Sequence, residues 1–211
     1  MIVFFNPLST SPGKQPLPLS IMALAAVIEG RYAWALVDGN LEPDPARSIL
    51  ARIDAAPEDG TPLVAVSVMP GPQLTQAVDV CRALRLATPS LKIVWGGYFP
   101  TLHTDTVMRS SIVDFVVRSQ GEQPLLELLD ALRGGRPLET VGSLSWKRAD
   151  GTVVHNPRAA MTTLDELPPF PYERVGMERY IHRTYVGRRT IAHNSSFGCP
   201  FSCSFCAVVE M

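Results

Sequence analysis

The chain has 211 residues, of which 46% are hydrophobic and 18% are charged, and its formal net charge is −1. This composition is typical of a globular protein with room for one domain of about 150 residues and a small second one. Because 19 basic residues balance 20 acidic ones, the overall charge does not favour a general role in binding nucleic acid or an anionic membrane surface.

No feature of the sequence predicts secretion or membrane insertion. The N-terminal segment has no basic region, and its apolar run is too short for a signal peptide. The longest apolar stretch, residues 21–28, is far below the roughly 18 residues that a membrane-spanning helix needs. We therefore expect a cytoplasmic protein, in which four cysteines would not form a disulfide framework.

Short apolar runs alternate with segments of helical periodicity from the N-terminus to about residue 134. Apolar residues recurring at i, i+3, i+4 and i+7 predict the helices, one of them starting at Asp44-Pro45 and another ending at Gly134-Gly135. Near-continuous apolar runs predict strands covered on both faces, at residues 2–5, 33–37, 63–68, 92–95 and 114–117. The alternation predicts an α/β fold with a doubly wound, five-stranded parallel sheet of the Rossmann or flavodoxin type.

The loops that follow the strands are the predicted binding region, because doubly wound sheets bind ligands beyond the carboxyl ends of their strands. The first such loop, residues 6–18, is longer than the usual two to six residues. The third strand runs into Ser67 and Met69, and the fourth ends in Gly96-Gly97, where a ligand can approach the backbone closely. Nicotinamide and nucleoside triphosphate cofactors are not favoured, since the sequence has neither G-x-G-x-x-G nor a Walker loop.

The pattern changes after residue 135. Two short apolar runs, residues 141–146 and 152–155, flank Asp150-Gly151 and predict a β-hairpin. A proline-rich segment, residues 167–172, predicts an extended linker. A last strand is predicted over residues 190–195. The predicted parts are thus a Rossmann-like domain (1–138), a hairpin and linker (139–189) and the start of a second domain (190–211).

Three cysteines near the C-terminus, Cys199, Cys203 and Cys206, form a C-x3-C-x2-C run. Three thiolates so close together can hold one face of a cubane iron–sulfur cluster and leave one iron open. The alternatives are a zinc site completed by His193 or a distant ligand, a redox thiol cluster, or unconnected cysteines. Structural zinc sites usually need a second cysteine or histidine pair, which favours the iron–sulfur interpretation. The fourth cysteine, Cys81, lies on the apolar stripe of a predicted helix, where we expect a small buried side chain.

This motif, with Phe205 just before its third cysteine, resembles the signature of radical S-adenosylmethionine enzymes. The preceding βα domain, with Ser67-x-Met69 and Gly96-Gly97, resembles the cobalamin (B12)-binding domain that precedes the barrel in one subfamily of these enzymes. The resemblance covers essentially the whole chain. It implies that residues 1–138 are a cobalamin-binding-type domain and that residues 190–211 begin a truncated radical SAM (β/α) barrel.

For the C-terminal segment, the resemblance implies that Cys199, Cys203 and Cys206 are the metal ligands of a [4Fe-4S] cluster. S-adenosyl-L-methionine would bind the open iron and be cleaved reductively, with Phe205 on the adenine side. The resemblance also implies an electron donor such as flavodoxin or ferredoxin as a partner.

For the upstream domain, the resemblance places Ser67, Met69, Gly96 and Gly97 beside the nucleotide tail of cobalamin. One departure from the family pattern concerns the loop after the first strand. Domains that supply a histidine as the lower cobalt ligand carry D-x-H-x-x-G there, whereas residues 6–11 of this chain contain no histidine. We therefore expect cobalamin to bind without a histidine lower ligand.

The activity implied by the resemblance is methyl transfer to an unactivated centre or a tetrapyrrole-type cyclisation. No catalytic side chain is assigned. Because only five residues follow Cys206, we expect the 211 residues to be the N-terminal portion of a larger enzyme and to be inactive alone. The alternatives are a radical SAM protein whose βα domain binds a substrate or partner, and a non-catalytic βα binding module with a metal-binding tail.

Overall fold

The computed structural model describes residues 1–11, 13–56, 62–196 and 198–210. Five strands lie parallel in the order β2-β1-β3-β4-β5, which confirms the predicted doubly wound sheet. The strands are β1 (Ile2–Asn6), β2 (Trp34–Asp38), β3 (Leu63–Ser67), β4 (Lys92–Gly96) and β5 (Phe115–Val117).

Helices cover both faces of this sheet. Successive strand residues point to opposite faces, so Phe4 packs with α1 and α6 while Phe5 packs with α2, α3 and α5, and both phenyl rings are completely buried. Burying a side chain of this size contributes about 1.5–3 kcal/mol. The helices are α1 (Leu19–Ile28), α2 (Pro45–Asp54), α3 (Pro72–Ala87), α4 (Tyr98–Leu102), α5 (Thr104–Arg109) and α6 (Glu122–Leu132).

The predicted helix boundaries at Asp44 and Gly134 are confirmed. The Asp44 carboxylate accepts a hydrogen bond from the Arg47 N–H at 3.1 Å, and Pro45 is the first residue of α2. Gly134 follows α6 with a φ of +85°, a left-handed conformation that closes helices and that glycine adopts without a steric penalty.

The predicted hairpin is confirmed, but it joins the sheet instead of following it. Its strands, β6 (Leu144–Lys147) and β7 (Val153–His155), pair antiparallel next to β5 and extend the sheet to seven strands. Without β6, the backbone N–H and C=O groups on the outer side of β5 would be unpaired. Arg118 strengthens the junction, because its guanidinium donates to the carbonyl oxygens of Ser143 and Asn156.

The strand predicted over residues 190–195 is wrong. Thr190 forms only an isolated antiparallel bridge with His182, and residues 191–196 have no regular structure. A strand is held by hydrogen bonds to a neighbour, and in the described ranges no strand lies beside this segment. The domain boundaries at residues 138 and 189 stay predictions.

The linker region, which we define as residues 167–189, returns to the sheet. Two 3₁₀ turns, Tyr172–Arg174 and Met177–Tyr180, carry it past the outer edge of β2. Val175 and Tyr180 are buried in the same core as α1 and α6. Within the described residues, no helix is long and apolar enough to cross a bilayer.

Arg85 on α3 connects this helix to the starts of two strands. Its guanidinium donates to the Leu91 carbonyl at 2.8 Å and to the Asp114 carboxylate at 2.6 Å, and the same carboxylate oxygen accepts the Ile93 N–H at 2.9 Å. Because a hydrogen bond to a charged group contributes about 1.5–3 kcal/mol, we expect Arg85→Met to lower the free energy of unfolding by about 2–3 kcal/mol. Urea denaturation measures this loss.

Arg82→Met is the matched control, since Arg82 lies on the exposed side of the same helix. We expect this change to alter the free energy of unfolding by no more than about 0.5 kcal/mol. Equal losses in the two variants would contradict a special role for Arg85.

Candidate functional site

The carboxyl ends of β1, β3 and β4 meet at one edge of the sheet. β1 lies between β2 and β3, so the chain leaves β1 toward one side and returns to the other side for β3. Such a reversal opens a crevice in which doubly wound proteins bind ligands. We call the strand ends and their loops at this place the switch edge, formed by residues 6–11, 67–71 and 96–99.

The structure brings the predicted residues Ser67 and Gly96 together at the switch edge. They are partners in the β3–β4 register, and the Val68 N–H donates to the Gly96 carbonyl at 2.8 Å. The Ser67 hydroxyl is 3.2 Å from the hydroxyl of Ser20 at the start of α1. Ser20 was not identified from the sequence, where a single serine just after a proline-rich loop carries no signal.

Gly97 also lies at the switch edge, but its own backbone conformation is sufficient reason for a glycine. It has a φ of +96°, and a Cβ atom there would lie 3.0 Å from the Val68 carbonyl oxygen. At Gly96, by contrast, a Cβ would meet only the Val117 carbonyl oxygen, at 3.6 Å. Of the two predicted glycines, Gly96 is therefore the one at which the protein itself would accept a Cβ without a clash.

Met69 is exposed at the switch edge, and α3 holds the loops around it. The Met69 N–H donates to Gln73 Oε1 at 2.9 Å, while Gln73 Nε2 donates to the Pro7 carbonyl at 3.3 Å. One turn later, Gln76 Oε1 accepts the Leu8 N–H at 2.6 Å. These glutamines were missed, although their i, i+3 spacing in the first turns of a helix puts both on one helix face.

The place where some cobalamin domains carry D-x-H-x-x-G has a different polar arrangement. The buried Asn6 amide donates to Asp38 Oδ1 at 3.1 Å, so the carboxylate comes from the end of β2. Tyr180 donates its hydroxyl proton to Asp38 Oδ2 at 2.9 Å. Burial, followed by the Asp38 charge, raises the pKa of Tyr180 above its ordinary value, so this phenol stays a proton donor.

The three clustered cysteines do not converge in the structure. Cys199 and Cys203 are exposed and Cys206 is half-buried, with the Cys206 N–H donating to the Cys203 carbonyl at 3.0 Å. Within residues 1–11, 13–56, 62–196 and 198–210, no group of three or more histidine, cysteine or acidic side chains is placed to hold a metal. Phe205 is 91% exposed.

The cysteine segment nevertheless lies beside the switch edge. The 3₁₀ helix Ala207–Glu210, which follows Cys206 directly, contacts α4, and α4 begins immediately after Gly97. Three closely spaced thiols have the donor chemistry of an iron–sulfur cluster. Their chain position thus puts that chemistry next to the predicted cofactor region.

A serine, a histidine and an acid also line up on the hairpin. The Ser145 hydroxyl is 2.9 Å from His155 Nδ1, and His155 Nε2 is 3.1 Å from the Asp105 carboxylate. Ser145 is completely buried in β6, so no substrate reaches its hydroxyl. This arrangement is a structural contact between β6, β7 and α5 and not a hydrolase site.

The switch edge fits cobalamin that is held without a histidine ligand. It offers two hydroxyl groups from Ser20 and Ser67, an exposed thioether from Met69 and open backbone at Gly96. Asn6 takes the position at which a histidine-bearing motif would start, and its amide is already paired with Asp38.

Comparison with known proteins identifies the domain. The B12 binding domain family matches residues 7–129. The anaerobic magnesium-protoporphyrin IX monomethyl ester cyclase of Synechocystis sp. is 27% identical over 203 residues, covering 94% of this chain and 39% of the cyclase. The chain therefore spans about two fifths of the length of that relative.

Two solved structures have the same fold at 19% sequence identity. One is the cobalamin-dependent S-adenosylmethionine radical enzyme OxsB with aqua-cobalamin and S-adenosylmethionine bound (TM-score 0.62, covering 76% of this chain and 22% of OxsB). The other is the radical S-adenosylmethionine methyltransferase TsrM from Kitasatospora setae with cobalamin and a [4Fe-4S] cluster bound (TM-score 0.61, 74% and 30%). Because the family match covers more than half of its residues, this chain belongs to the B12 binding domain family.

Proposed function

We propose that the chain is the cofactor-binding N-terminal portion of a cobalamin-dependent radical SAM enzyme. One observation carries this proposal: the family match over residues 7–129 includes all of the switch edge except Asn6. Ser67, Met69, Gly96 and Gly97 lie there together. The switch edge is also where ligands of doubly wound sheets bind.

In this proposal, the switch edge holds cobalamin without a histidine lower ligand. Ser67 offers a hydroxyl group to the polar nucleotide tail, and Gly96 lets the tail lie close to the backbone. Met69 supplies apolar contact from its exposed side chain. The radical chemistry belongs to the cofactors, while the protein binds, orients and shields them.

The second part of the proposal concerns Cys199, Cys203 and Cys206, which would ligate a [4Fe-4S] cluster. S-adenosyl-L-methionine would bind at the open iron, with Phe205 beside its adenine, and an external donor such as flavodoxin or ferredoxin would supply the electron. Support comes from the cysteine spacing, from the contact between Ala207–Glu210 and α4, and from the cluster bound in TsrM. Methyl transfer and tetrapyrrole-type cyclisation are the two reaction classes suggested by the named relatives.

A second candidate is a radical SAM protein whose βα domain binds a substrate or a partner instead of cobalamin. Two observations favour it: residues 6–11 contain no histidine, and the conformation of Gly97 requires glycine with or without a ligand.

Retention of hydroxocobalamin separates these candidates. We expect the anaerobically incubated and desalted chain to keep a corrinoid absorption spectrum. We expect Met69→Glu to weaken hydroxocobalamin binding about ten-fold or more, equivalent to about 1.4 kcal/mol, because a carboxylate replaces an apolar contact at the switch edge. Equilibrium titration followed by absorbance measures the affinity.

Leu86→Glu is the matched control for this experiment. Leu86 is also an exposed apolar side chain, at 84%, but it lies at the far end of α3. We expect the Leu86→Glu variant to bind hydroxocobalamin with wild-type affinity. A wild-type chain that keeps no corrinoid would overturn the cobalamin proposal in favour of the second candidate. Equal hydroxocobalamin affinities in the two variants would show that Met69 does not contact the cofactor.

A further inference from the structure

A chain of hydrogen bonds runs from the linker region to the loop after β1. It starts at Tyr180, which is 3% exposed and donates its hydroxyl proton to Asp38 Oδ2 at 2.9 Å. Asp38 is itself 4% exposed at the end of β2. A buried carboxylate is costly unless it is hydrogen-bonded, so the Tyr180 hydroxyl stabilises the position of Asp38.

The other carboxylate oxygen of Asp38 extends the chain toward the loop. Asp38 Oδ1 accepts the Asn40 backbone N–H at 2.9 Å and the Asn40 side-chain amide at 2.7 Å. With its amide nitrogen engaged in this way, Asn40 presents Oδ1 to the backbone N–H groups of Ser9 and Thr10, at 2.9 and 3.2 Å. Asp38 thereby orients the side chain that holds the loop.

A second set of contacts joins the same two segments. Gln15 Nε2 donates to the Arg179 carbonyl at 2.7 Å, and His182 Nε2 is 2.8 Å from the Gln15 carbonyl oxygen. Gln15 is 6% exposed. Residues 179–182 thus contact the loop directly at Gln15 and reach Ser9 and Thr10 only through Asp38 and Asn40.

These contacts connect the loop to a segment outside the matched domain. The loop lies inside the stretch that matches the B12 binding domain family, whereas residues 179–182 lie about 50 positions beyond its end at residue 129. A cavity of about 310 Å³ lies between β2 and residues 174–180. This segment is held by the buried side chains of Val175 and Tyr180 and by polar contacts. A long loop is costly to order, so these contacts contribute to its order together with the bonds that Gln73 and Gln76 form to Pro7 and Leu8.

We propose that Tyr180 is a positioning residue that latches the loop after β1, so that the linker controls how firmly the switch edge retains its ligand. The latch consists of Tyr180, Asp38 and Asn40, with Gln15 and His182 as its second contact. The effect on retention rests on the proposed function, since the loop would cover the lower face of cobalamin. The effect on loop order does not need a cofactor.

Hydrogen–deuterium exchange on the ligand-free chain tests the latch directly. Tyr180→Phe keeps the buried ring but removes the hydroxyl donor, and we expect the Ser9 and Thr10 amides to exchange at least ten-fold faster. Tyr172→Phe is the matched control, because the Tyr172 ring packs on Phe170 and is 37% exposed. In this variant the Ser9 and Thr10 amides should exchange at the wild-type rate. Unchanged Ser9 and Thr10 exchange in Tyr180→Phe would overturn the proposal.

A double-mutant cycle with Asn40→Ala separates a connected relay from two independent bonds. In a relay, the double variant exchanges at the Ser9 and Thr10 amides no faster than Asn40→Ala alone, whereas independent bonds give additive effects. Additive effects would contradict the relay. If Tyr180→Phe does not fold, Asn40→Ala tests the same connection from the loop side through exchange at Gln15 and at residues 179–182.

Hydroxocobalamin dissociation gives the functional readout. We expect the ligand to leave Tyr180→Phe about ten-fold faster than the wild type or Tyr172→Phe. Faster loop exchange with unchanged dissociation would overturn the link to retention. Failure of the wild-type chain to bind hydroxocobalamin would overturn the proposed function, while the exchange experiment would still decide whether the latch exists.

Discussion

Replacing Gly97 with alanine is expected to lower the free energy of unfolding by about 3 kcal/mol. Gly97 has a φ of +96° and a ψ of −169°, a region that is essentially restricted to glycine and that costs other residues about 1–3 kcal/mol. The added methyl group would also lie 3.0 Å from the Val68 carbonyl oxygen. That oxygen accepts the Phe99 N–H at 3.1 Å, so relieving the contact would disturb the β4–α4 turn.

Gly96→Ala is the control that makes this prediction specific. A Cβ at Gly96 has no neighbour closer than 3.6 Å, and we expect the free energy of unfolding to change by less than about 1 kcal/mol. Urea denaturation of both variants measures the difference. Equal stability of the two variants would contradict the conformational explanation for Gly97. If Gly96→Ala is stable but binds hydroxocobalamin poorly, the absence of a side chain at Gly96 serves the ligand.

The four cysteines are expected to divide into one inert thiol and three reactive ones. Cys81 is completely buried and receives the Trp95 indole N–H at 3.4 Å. Burial raises the pKa of the Cys81 thiol from 9.0 to about 12, which lowers the thiolate fraction at neutral pH about a thousand-fold. Alkylation by iodoacetamide, followed by mass spectrometry, should therefore modify Cys199, Cys203 and Cys206 long before Cys81.

The same measurement tests the iron–sulfur proposal. Reconstitution with iron and sulfide should protect the three C-terminal thiols from alkylation if they ligate a cluster, and Cys81 provides the internal control. In urea, Cys81 should react as fast as the others. Rapid Cys81 alkylation in the folded chain would contradict its assigned burial, and unprotected C-terminal thiols would contradict cluster ligation by this chain.

The Cys81 pKa also predicts how stability depends on pH. In the unfolded chain the thiol ionises near pH 9, whereas in the folded chain it stays protonated up to about pH 12. The folded state therefore binds more protons in this range, and the Cys81 contribution to stability is lost as the pH rises from 9 to 12.

Local patterns were enough to predict much of the fold. Near-continuous apolar runs at residues 2–5 and 63–68 predicted the buried parallel strands β1 and β3, because strands covered on both faces have no polar side. Asp44 and Gly134 marked helix ends through side-chain capping and a left-handed backbone, which depend on a few neighbouring residues. The position of Ser67, Met69 and Gly96 at one edge also followed, since parallel strands share their carboxyl ends.

Contacts between distant residues were beyond these patterns. The strand predicted over residues 190–195 was wrong because a strand exists only beside a hydrogen-bonding neighbour, and a short local segment does not specify that neighbour. The hairpin itself was predicted correctly. Its pairing with β5 was missed for the same reason, since the sequence of the hairpin does not specify its neighbour in the sheet. Gln73 and Gln76 likewise hold the first loop through bonds that span more than 60 residues.

Periodicity and spacing within short segments were enough to predict the doubly wound sheet and to identify the C-x3-C-x2-C motif, and they placed the candidate cofactor residues at one edge. Only the tertiary structure decided that Gly97 is required by its backbone, that Ser145 is too buried to act as a nucleophile, and that Tyr180 reaches Asp38 across 142 positions. Burial and long-range hydrogen bonds arise when the folded chain brings distant segments together, so no local pattern encodes them.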